Sequence, residues 1–328
     1  MKCPECQSKQ KYSQGMKCVS CGYRFVLNPK TYRSLSDNKL MALVNHVSGN
    51  GVYYYTYHQL LGYFLRRQFA ERVKGTAILA AVCLGMASIL WVWEALFCAV
   101  FPAVIFVLCV FSLLRWLPGK KPDVALREKL DKALGDWKSA GRKLDKMITK
   151  PTLREPPPDW PDSDIYDYGV ERVLVVEHDL LVDLFVLNGF HAFHNALVIA
   201  ESGYPDYLLP RLRDLLQERP DLPVYLLHDA TPDGVAMETR VRAATDLPFG
   251  EHPIVDLGLM PTDVKVIQSL RWTKRSSFYT RGLPVDLMVY ATLAAIAGDA
   301  IDMGQPLREV ALAAMASGGG SDSSGSYG

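Results

Sequence analysis

The sequence lacks the hydrophobic leader of an exported protein, because residues 1–25 are polar and hold four of the seven cysteines. We therefore expect no cleavable signal peptide. A P-loop, a GxSxG elbow and an HExxH motif are also missing, so the chain offers none of the sites that these motifs build. With 49% apolar residues, the sequence is that of a globular protein and not of a disordered or collagen-like one.

Net charge is nearly absent from the whole chain but not from its halves. The 36 Lys and Arg balance the 35 Asp and Glu, yet residues 151–328 carry 13 basic and 26 acidic side chains. A basic front half and an acidic back half indicate different modules, and a chain of 328 residues has room for about two domains.

The amino-terminal cysteines form two CxxC knuckles, Cys3 with Cys6 and Cys18 with Cys21. Each knuckle brings two thiolates together at a tight turn, and four thiolates make a closed tetrahedral Zn²⁺ site. Because such a site has no open coordination position, residues 1–30 are predicted to be a zinc ribbon with a structural metal. Disulfides or free thiols are the alternative.

A long apolar run follows further along the chain, since Thr76–Leu114 contains a single charged side chain, Glu94. One transmembrane helix needs about 20 apolar residues, so the run predicts a transmembrane hairpin over residues 75–116. Lys and Arg flank both ends and are missing from the tip. We therefore expect a multi-pass protein of the inner or plasma membrane, with both termini cytoplasmic and membrane lipid as a partner. A buried helical pair in a soluble core is the alternative.

Residues 31–74, between the ribbon and the apolar run, are predicted to be a small basic helical or winged-helix-like region. A first helix is expected to start after Ser36 and to end at Val47, and Thr56 is expected to cap a second helix, Tyr57–Phe69.

Residues 117–169 are predicted to be an amphipathic helix and a linker. Apolar side chains recur at helical spacing over Asp123–Ile148, which is typical of a helix that packs against a protein partner. The linker contains five prolines between Pro151 and Pro161. The Gly/Ser-rich residues 317–328 are expected to be a disordered tail.

The acidic back half, residues 170–316, alternates predicted strands and helices. Such alternation predicts an α/β fold, with a mostly parallel sheet and helices on both faces. The predicted strands are Arg172–Val176, Ala196–Ala200, Val224–Leu227 and Ile254–Leu257.

Acidic residues follow three of these strands. Glu177 comes directly after the first, Asp229 follows the third, and Asp256 lies at the end of the fourth. Ligands of such sheets bind beyond the carboxyl ends of the strands, and carboxylate oxygens suit Mg²⁺. A Mg²⁺ ion there can hold a phosphodiester and stabilise the charge on its oxygens.

The arrangement resembles the TOPRIM domain of topoisomerases, primases and some nucleases. The turn Asp229–Gly234, with the sequence DATPDG, is similar to the DADVDG turn of DNA gyrase B subunits. It is also similar to the DxDPxG turn of topoisomerase VI A subunits, which the related meiotic double-strand-break proteins share. The segment Val255–Asp263 resembles the residues that follow this turn in the second group.

The resemblance implies a role for each matching residue. Glu177 takes the place of the general acid/base and metal-linked Glu, Asp229 that of the first metal-binding Asp, and Asp233 that of the third acidic position of the gyrase-type turn. Thr231 stands where the second Asp belongs. Because a hydroxyl is an uncharged and poorer Mg²⁺ ligand, a second metal would be weakened or lost, whereas one metal can be held by Glu177 and Asp229.

Two functions are compatible with these residues. The first is Mg²⁺-dependent phosphodiester chemistry on DNA or RNA at the membrane, as a nuclease or a topoisomerase-like enzyme. The second is a non-enzymatic membrane tether or sensor with a degenerate TOPRIM fold.

Two further groups of side chains suit nucleic acid. In the topoisomerase VI group a winged helix before TOPRIM supplies a nucleophilic tyrosine, and four tyrosines stand in the corresponding region here, although strand packing also explains them: Tyr53, Tyr54, Tyr55 and Tyr57. Arg271, Lys274 and Arg275 stand among aromatic residues and are predicted to bind nucleic-acid phosphates. A lipid-facing or solvated surface is the alternative for this second group.

Overall fold

The computed structural model describes residues 1–33, 35–92, 122–156, 169–263, 267–278 and 282–317. The helices and strands of the first half are, in chain order, α1 (Asp37–Val47), β1 (Tyr55–Thr56), α2 (Tyr57–Val92), α3 (Pro122–Ser139) and β2 (Met147–Ile148). Strands β1 and β2 pair in parallel, with Tyr55 opposite Met147 and Thr56 opposite Ile148.

The second half is built on a four-stranded parallel sheet. Its elements are β3 (Arg172–Val176), α4 (Asp179–Val186), α5 (Phe190–Phe193), β4 (Ala196–Ala200), α6 (Leu209–Glu218), β5 (Val224–Leu227), α7 (Pro232–Val235), α8 (Met237–Ala243), β6 (Ile254–Asp256), α9 (Tyr290–Met303) and α10 (Leu307–Ser317). The strand order is β4-β3-β5-β6, and every neighbouring pair is parallel. The predicted α/β fold with a parallel sheet is therefore confirmed.

The sheet has a hydrophobic layer on each face because successive side chains of a strand point to opposite sides. Val173 and Val175 of β3 pack with Leu212 of α6 on one face. Leu174 and Val176 of the same strand pack on the other face. A strand that is buried on both faces needs apolar residues throughout, as the sequence RVLVV of β3 provides.

The amino-terminal half packs onto the second of these faces. Leu40 of α1, Leu60 and Phe64 of α2, and Leu130 of α3 belong to the same buried cluster as Leu174. The predicted domain boundaries stay predictions, but one continuous apolar core joins the described parts of the two halves.

The apolar side of α3 differs from its predicted use. The helix ends at Ser139, and the later residues Met147 and Ile148 form a strand. Leu130 and Trp137 are buried in the chain itself. The face that was predicted to bind a protein partner is therefore covered by this protein.

The predicted transmembrane hairpin and the multi-pass membrane location need correction. Within the described ranges, no helix combines the length and the apolar character that a membrane span requires. The apolar run begins inside α2, whose first turns bury Leu60 and Phe64 in the protein core, so the run there continues a packed helix. The second half of the predicted hairpin falls on residues 93–121, outside the described residues.

Helix α2 begins where the sequence predicts, with Thr56 as its cap. The Thr56 amide donates to Gln59 Oε1 at 3.1 Å, and the Gln59 amide donates to Thr56 Oγ1 at 3.3 Å. This reciprocal pair satisfies two amides that a helix start otherwise leaves unpaired.

Glycine lets α2 approach the turn Val285–Leu287. A Cβ atom on Gly62 would lie 2.4 Å from the carbonyl oxygen of Leu287, which is shorter than van der Waals contact. The backbone on both sides is fixed by hydrogen bonds, so neither can yield without cost.

We expect Gly62→Ala to lower the free energy of unfolding by about 1 to 3 kcal/mol, because the added methyl overpacks this contact. Gly75→Ala in the same helix is the matched control, since a Cβ there meets nothing within 4 Å. The control should raise stability by up to about 1 kcal/mol through helix propensity. Denaturant unfolding of both variants tests this, and equal effects would contradict the close approach.

A buried histidine joins the ends of β5 and β6. The Nδ1 atom of His228 lies 2.7 Å from the Asp229 carbonyl oxygen, and Nε2 lies 3.1 Å from Asp256 Oδ1. Both partners only accept hydrogen bonds, so both ring nitrogens donate and the imidazole is protonated. Burial lowers the pKa of His228, but the hydrogen bonds to Asp256 and to the Asp229 carbonyl raise it overall. Burial raises the pKa of Asp256, but His228 and the Gly258 amide lower it overall.

The pair should make stability depend on pH in a defined direction. The contribution of His228 is complete below about pH 6.5 and is lost as pH rises through its raised folded-state pKa. That of Asp256 is complete above about pH 4 and is lost as pH falls through its lowered pKa. A hydrogen bond between charged groups contributes about 1.5 to 3 kcal/mol, and the partial exposure of Asp256 favours the lower end.

We therefore expect Asp256→Asn to destabilise the protein by roughly 1.5 kcal/mol near pH 6 and by less near pH 9. Denaturant unfolding at both pH values measures the difference. Glu251→Gln, which neutralises an exposed acid on the loop before β6, is the control and should show no such pH dependence. A cost that does not change with pH would contradict a protonated His228.

Candidate metal centre at the strand ends

Two carboxylates that are far apart in the sequence meet at the carboxyl edge of the sheet. Glu177 directly follows β3 and Asp229 lies two residues beyond β5, and these strands are hydrogen-bonded neighbours with Val176 opposite Leu227. The Asp229 amide donates to Glu177 Oε2 at 2.7 Å. The parallel arrangement therefore brings both side chains to one place.

His178 completes a cluster of three metal-binding side chains. Its Nε2 atom lies 3.3 Å from Asp229 Oδ2. One ligand atom each from Glu177, His178 and Asp229 lies within 4.8 Å of the other two. The hydrogen bond to Asp229 raises the pKa of His178, burial lowers it, and the nearby charges of Asp229 and Glu177 raise it further. Carboxylates suit Mg²⁺, and an imidazole beside them also suits a transition metal.

The Asp229 side chain is buried and held from a second side. Its Oδ1 atom accepts a hydrogen bond from the Val285 amide at 2.8 Å. Next to it, Ala230 and Leu283 form an antiparallel bridge, which lays the segment before Val285 along the acidic turn. These contacts fix the carboxylate before any ligand binds.

Thr231 and Asp233 do not join the cluster. Thr231 Oγ1 accepts the Gly234 amide at 2.8 Å and so caps α7. Asp233 is exposed in the first turn of that helix, and within the described part of the chain its carboxylate is not among the grouped ligand atoms. The metal role predicted for Asp233 stays a prediction.

Glycine lets the turn pack against the two acids. A Cβ atom on Gly234 would lie 2.2 Å from the Asp229 carbonyl oxygen and 3.0 Å from Glu177 Oε2. The backbone of α7 therefore approaches the carboxylates more closely than any side chain would permit. The glycine that closes the DATPDG turn has this steric reason.

Two residues of the surroundings carry no signal in the sequence, His58 and Asp286. Asp286 is buried; its Oδ1 lies 2.9 Å from His58 Nδ1, and its Oδ2 accepts the Thr56 hydroxyl at 2.7 Å. Asp286 directly follows Val285, the residue that holds Asp229. No sequence motif connects these positions, and the helix cap at Thr56 was the single local indication.

The tyrosines and the basic segment named from the sequence lie in different surroundings. Tyr55 is buried in β1, the Tyr57 hydroxyl donates to Asp131, and the Tyr53 ring packs on Tyr290 at 5.1 Å. Tyr54 lies under the Lys146 ammonium group, 5.2 Å from ring centre to nitrogen.

Arg271, Lys274 and Arg275 lie on a 3-10 helix, Gln268–Arg275. Lys274 is exposed, and Trp272 packs against Phe69 at 6.0 Å between ring centres. The side chains of Arg271 and Arg275 are outside the described parts, and nucleic-acid binding by this segment stays a prediction.

The four amino-terminal cysteines come together as a second cluster. The Sγ atoms of Cys3 and Cys21 are 3.5 Å apart, and those of Cys6 and Cys18 are 3.6 Å apart. All four Sγ atoms lie within 4.8 Å of one another. A hydrogen bond with the Ser8 hydroxyl, together with backbone hydrogen bonds, lowers the pKa of Cys18 to about 6. Cys18 is therefore disposed to the thiolate form that binds metals.

Comparison with known proteins identifies the acidic half. Residues 172–268 match the Toprim domain family of Spo11 and the topoisomerase 6 A-type subunit. That subunit of the type 2 DNA topoisomerase 6 from Hyperthermus butylicus is 40% identical over 80 residues, which are 24% of this chain and 20% of that protein. Its counterpart from Sulfurisphaera tokodaii is 39% identical over 80 residues, with the same coverage. The meiotic recombination protein spo-11 of Caenorhabditis elegans is 30% identical over 98 residues, or 28% of this chain and 23% of that protein.

The similarity is confined to one region, because the chain spans about a fifth of the length of the curated relatives it matches. No solved structure matches the chain. The relatives are named as DNA topoisomerase and recombination proteins, so the multi-pass membrane location predicted from the apolar run is wrong, and membrane lipid is unsupported as a partner. Residues 172–268 form a TOPRIM domain of the type found in Spo11 and in topoisomerase 6.

Proposed function

We propose that this protein carries out Mg²⁺-dependent phosphodiester chemistry on nucleic acid, with DNA as the first substrate to test. The observation that carries the proposal is the meeting of Glu177, His178 and Asp229 at the strand ends, with ligand atoms within 4.8 Å of one another. TOPRIM domains bind Mg²⁺, and the relatives that share this domain are named as DNA topoisomerases and a recombination protein.

The side chains of the centre would divide the work. Asp229, held by the Val285 amide, would bind the metal, which would supply positive charge for the phosphodiester oxygens. Glu177 accepts the Asp229 amide on Oε2, and its second oxygen remains chemically able to bind the metal or to move a proton. Thr231 caps α7, so a single metal fits better than two.

Substrate would have to be held by local contacts, because the acidic half repels a polyanion. The basic segment with Arg271, Lys274 and Arg275 is the proposed phosphate contact within this half. Asp233 would assist from the exposed first turn of α7.

A non-enzymatic protein that binds nucleic acid through a degenerate TOPRIM domain is the second candidate. The use of the Thr231 hydroxyl as a helix cap favours it, because this leaves two carboxylates and one imidazole at the centre. Binding without cleavage would distinguish this function from the first.

Glu177→Gln should abolish Mg²⁺-dependent cleavage, because the amide keeps the size of the side chain but loses its charge. Removal of a group that acts in the transition state costs about 100-fold to 10,000-fold in rate. Cleavage of supercoiled plasmid, linear duplex and single-stranded DNA and of RNA, each with and without Mg²⁺, measures this.

Asp221→Asn is the matched control, since Asp221 is an exposed acid that precedes β5 at the opposite edge of the sheet. It should retain the wild-type rate. Cleavage that survives Glu177→Gln would remove the enzymatic assignment, and nucleic-acid binding without cleavage by the wild type would favour the second candidate.

The four cysteines are proposed to hold one structural Zn²⁺ ion. Zn–S bonds of about 2.3 Å in a tetrahedron place sulfur atoms roughly 3.8 Å apart. The distances of 3.5 and 3.6 Å between paired Sγ atoms fit this geometry. Two of the cysteines are buried in a small cluster with Tyr23 and Phe25, which is too small to be stable on its own apolar area.

Purified protein should contain one Zn²⁺ per chain by elemental analysis, and Cys18→Ser should lose it. Because the metal stabilises the ribbon, removal by a strong chelator should unfold residues 1–30 while the TOPRIM domain stays folded. Amide NMR spectra or limited proteolysis with and without chelator resolve the two parts. Ser13→Ala, an exposed position of the same segment, is the control, and a metal-free folded ribbon would refute the site.

A further inference from the structure

We propose that His58 transfers the proton during cleavage and that water, not a tyrosine of this chain, attacks the phosphodiester. This inference rests on the proposed function and adds the reaction class, which is hydrolysis. It begins from a histidine–carboxylate pair that the amino-terminal half contributes to the edge of the TOPRIM centre.

The Asp286 carboxylate fixes the orientation of His58. Asp286 Oδ1 lies 2.9 Å from His58 Nδ1, and Oδ2 accepts the Thr56 hydroxyl at 2.7 Å. A carboxylate accepts only, so Nδ1 carries a proton and Nε2 is the nitrogen that exchanges a proton with substrate. The His58 side chain is 41% exposed, which leaves the ring accessible, whereas Asp286 is buried.

One short turn connects this pair to the metal centre. The Val285 amide holds Asp229 Oδ1 at 2.8 Å, and the next residue, Asp286, holds His58. The same turn receives the close approach of Gly62 to the Leu287 carbonyl. Helix α2 therefore cannot shift its first turn, which carries His58, without moving the residue that positions Asp229.

The charges around His58 suit proton transfer near neutral pH. Burial lowers the pKa of His58, but the hydrogen bond and charge of Asp286 and the charge of Asp229 raise it overall, while Arg127 opposes them. An imidazole that titrates somewhat above its usual pKa can both accept and donate a proton near neutral pH.

The tyrosines of the region are engaged elsewhere. The Tyr55 hydroxyl is buried, and the Tyr57 hydroxyl donates to Asp131 on α3. Burial raises the pKa of Tyr57, and its hydrogen bond to Asp131 raises it further, so its phenolate form is disfavoured. A nucleophile must be reachable by substrate and easily deprotonated, and neither hydroxyl meets both conditions.

The proposed step balances without an additional reactant. The oxygen of a water molecule forms a bond to phosphorus while one of its protons passes to His58 Nε2. The phosphorus–oxygen bond to the leaving sugar breaks, and the imidazolium returns the proton to that oxygen. The products are one strand end with a phosphate and one with a hydroxyl.

A purely structural role for the pair gives different expectations. Asp286 also accepts a hydrogen bond at the amino terminus of α2, where negative charge stabilises a helix. If docking of α2 were its single role, Thr56→Val would matter for stability and His58→Gln would leave cleavage unchanged.

The test compares wild type, His58→Gln and Asp286→Asn, with His46→Gln on α1 as the control histidine. Initial cleavage rates are measured over roughly pH 6 to 9, together with Mg²⁺ binding and melting temperature. His58→Gln should lose about 100-fold or more in rate, and with it the acid limb of the pH profile, while it still folds and binds Mg²⁺. Asp286→Asn should shift that limb to lower pH, and His46→Gln should match wild type.

Three results would overturn the inference. The first is a protein–DNA adduct that survives detergent and disappears on protease digestion, because it indicates a tyrosine nucleophile. The second is cleavage that needs Glu177 but keeps its rate and pH profile in His58→Gln, which removes this inference and leaves the proposed function intact. The third is a wild-type chain that cleaves none of the nucleic acids, which removes both.

Discussion

The hydrogen bond from the Asp229 amide to the Glu177 carboxylate is the contact on which the centre depends. It forms because two parallel strands end side by side, and it orients one acid with the backbone of the other. A buried carboxylate needs donors, and Asp229 obtains them from the Val285 amide and from His178. A divalent cation would be favoured by the remaining negative charge, because donors of this kind offset the charge of two carboxylates only in part.

The centre belongs to the whole chain and not to the TOPRIM domain alone. Residues 283–287 border the acidic turn on one side and contact α2 on the other, through Asp286 and Leu287. The apolar core is continuous between the described parts of the two halves. A change in the packing of α2 would therefore be felt at Asp229, which gives the amino-terminal half a means to influence the chemistry.

The departure at Thr231 has a structural explanation that bears on function. Its hydroxyl caps a helix whose glycine approaches both acids, so the residue serves the shape of the turn. Charge that a second Asp would bring is replaced nearby by His178, which is neutral or positive according to pH. The site thus combines two carboxylates with one imidazole, and this composition favours one metal with a proton-transfer group beside it.

The strands, the strand-end acids and the cysteine knuckles could all be predicted from the amino-acid order, because each depends on neighbours along the chain. The buried strand β3 and the cap at Thr56 are visible in runs of a few residues, and parallel strands then dictate that Glu177 and Asp229 meet. The place of His58 and Asp286 could not be predicted in this way, since their side chains meet across 228 positions and depend on how α2 packs. Packing also overturned the membrane interpretation, because an apolar run has the same composition whether protein or lipid covers it.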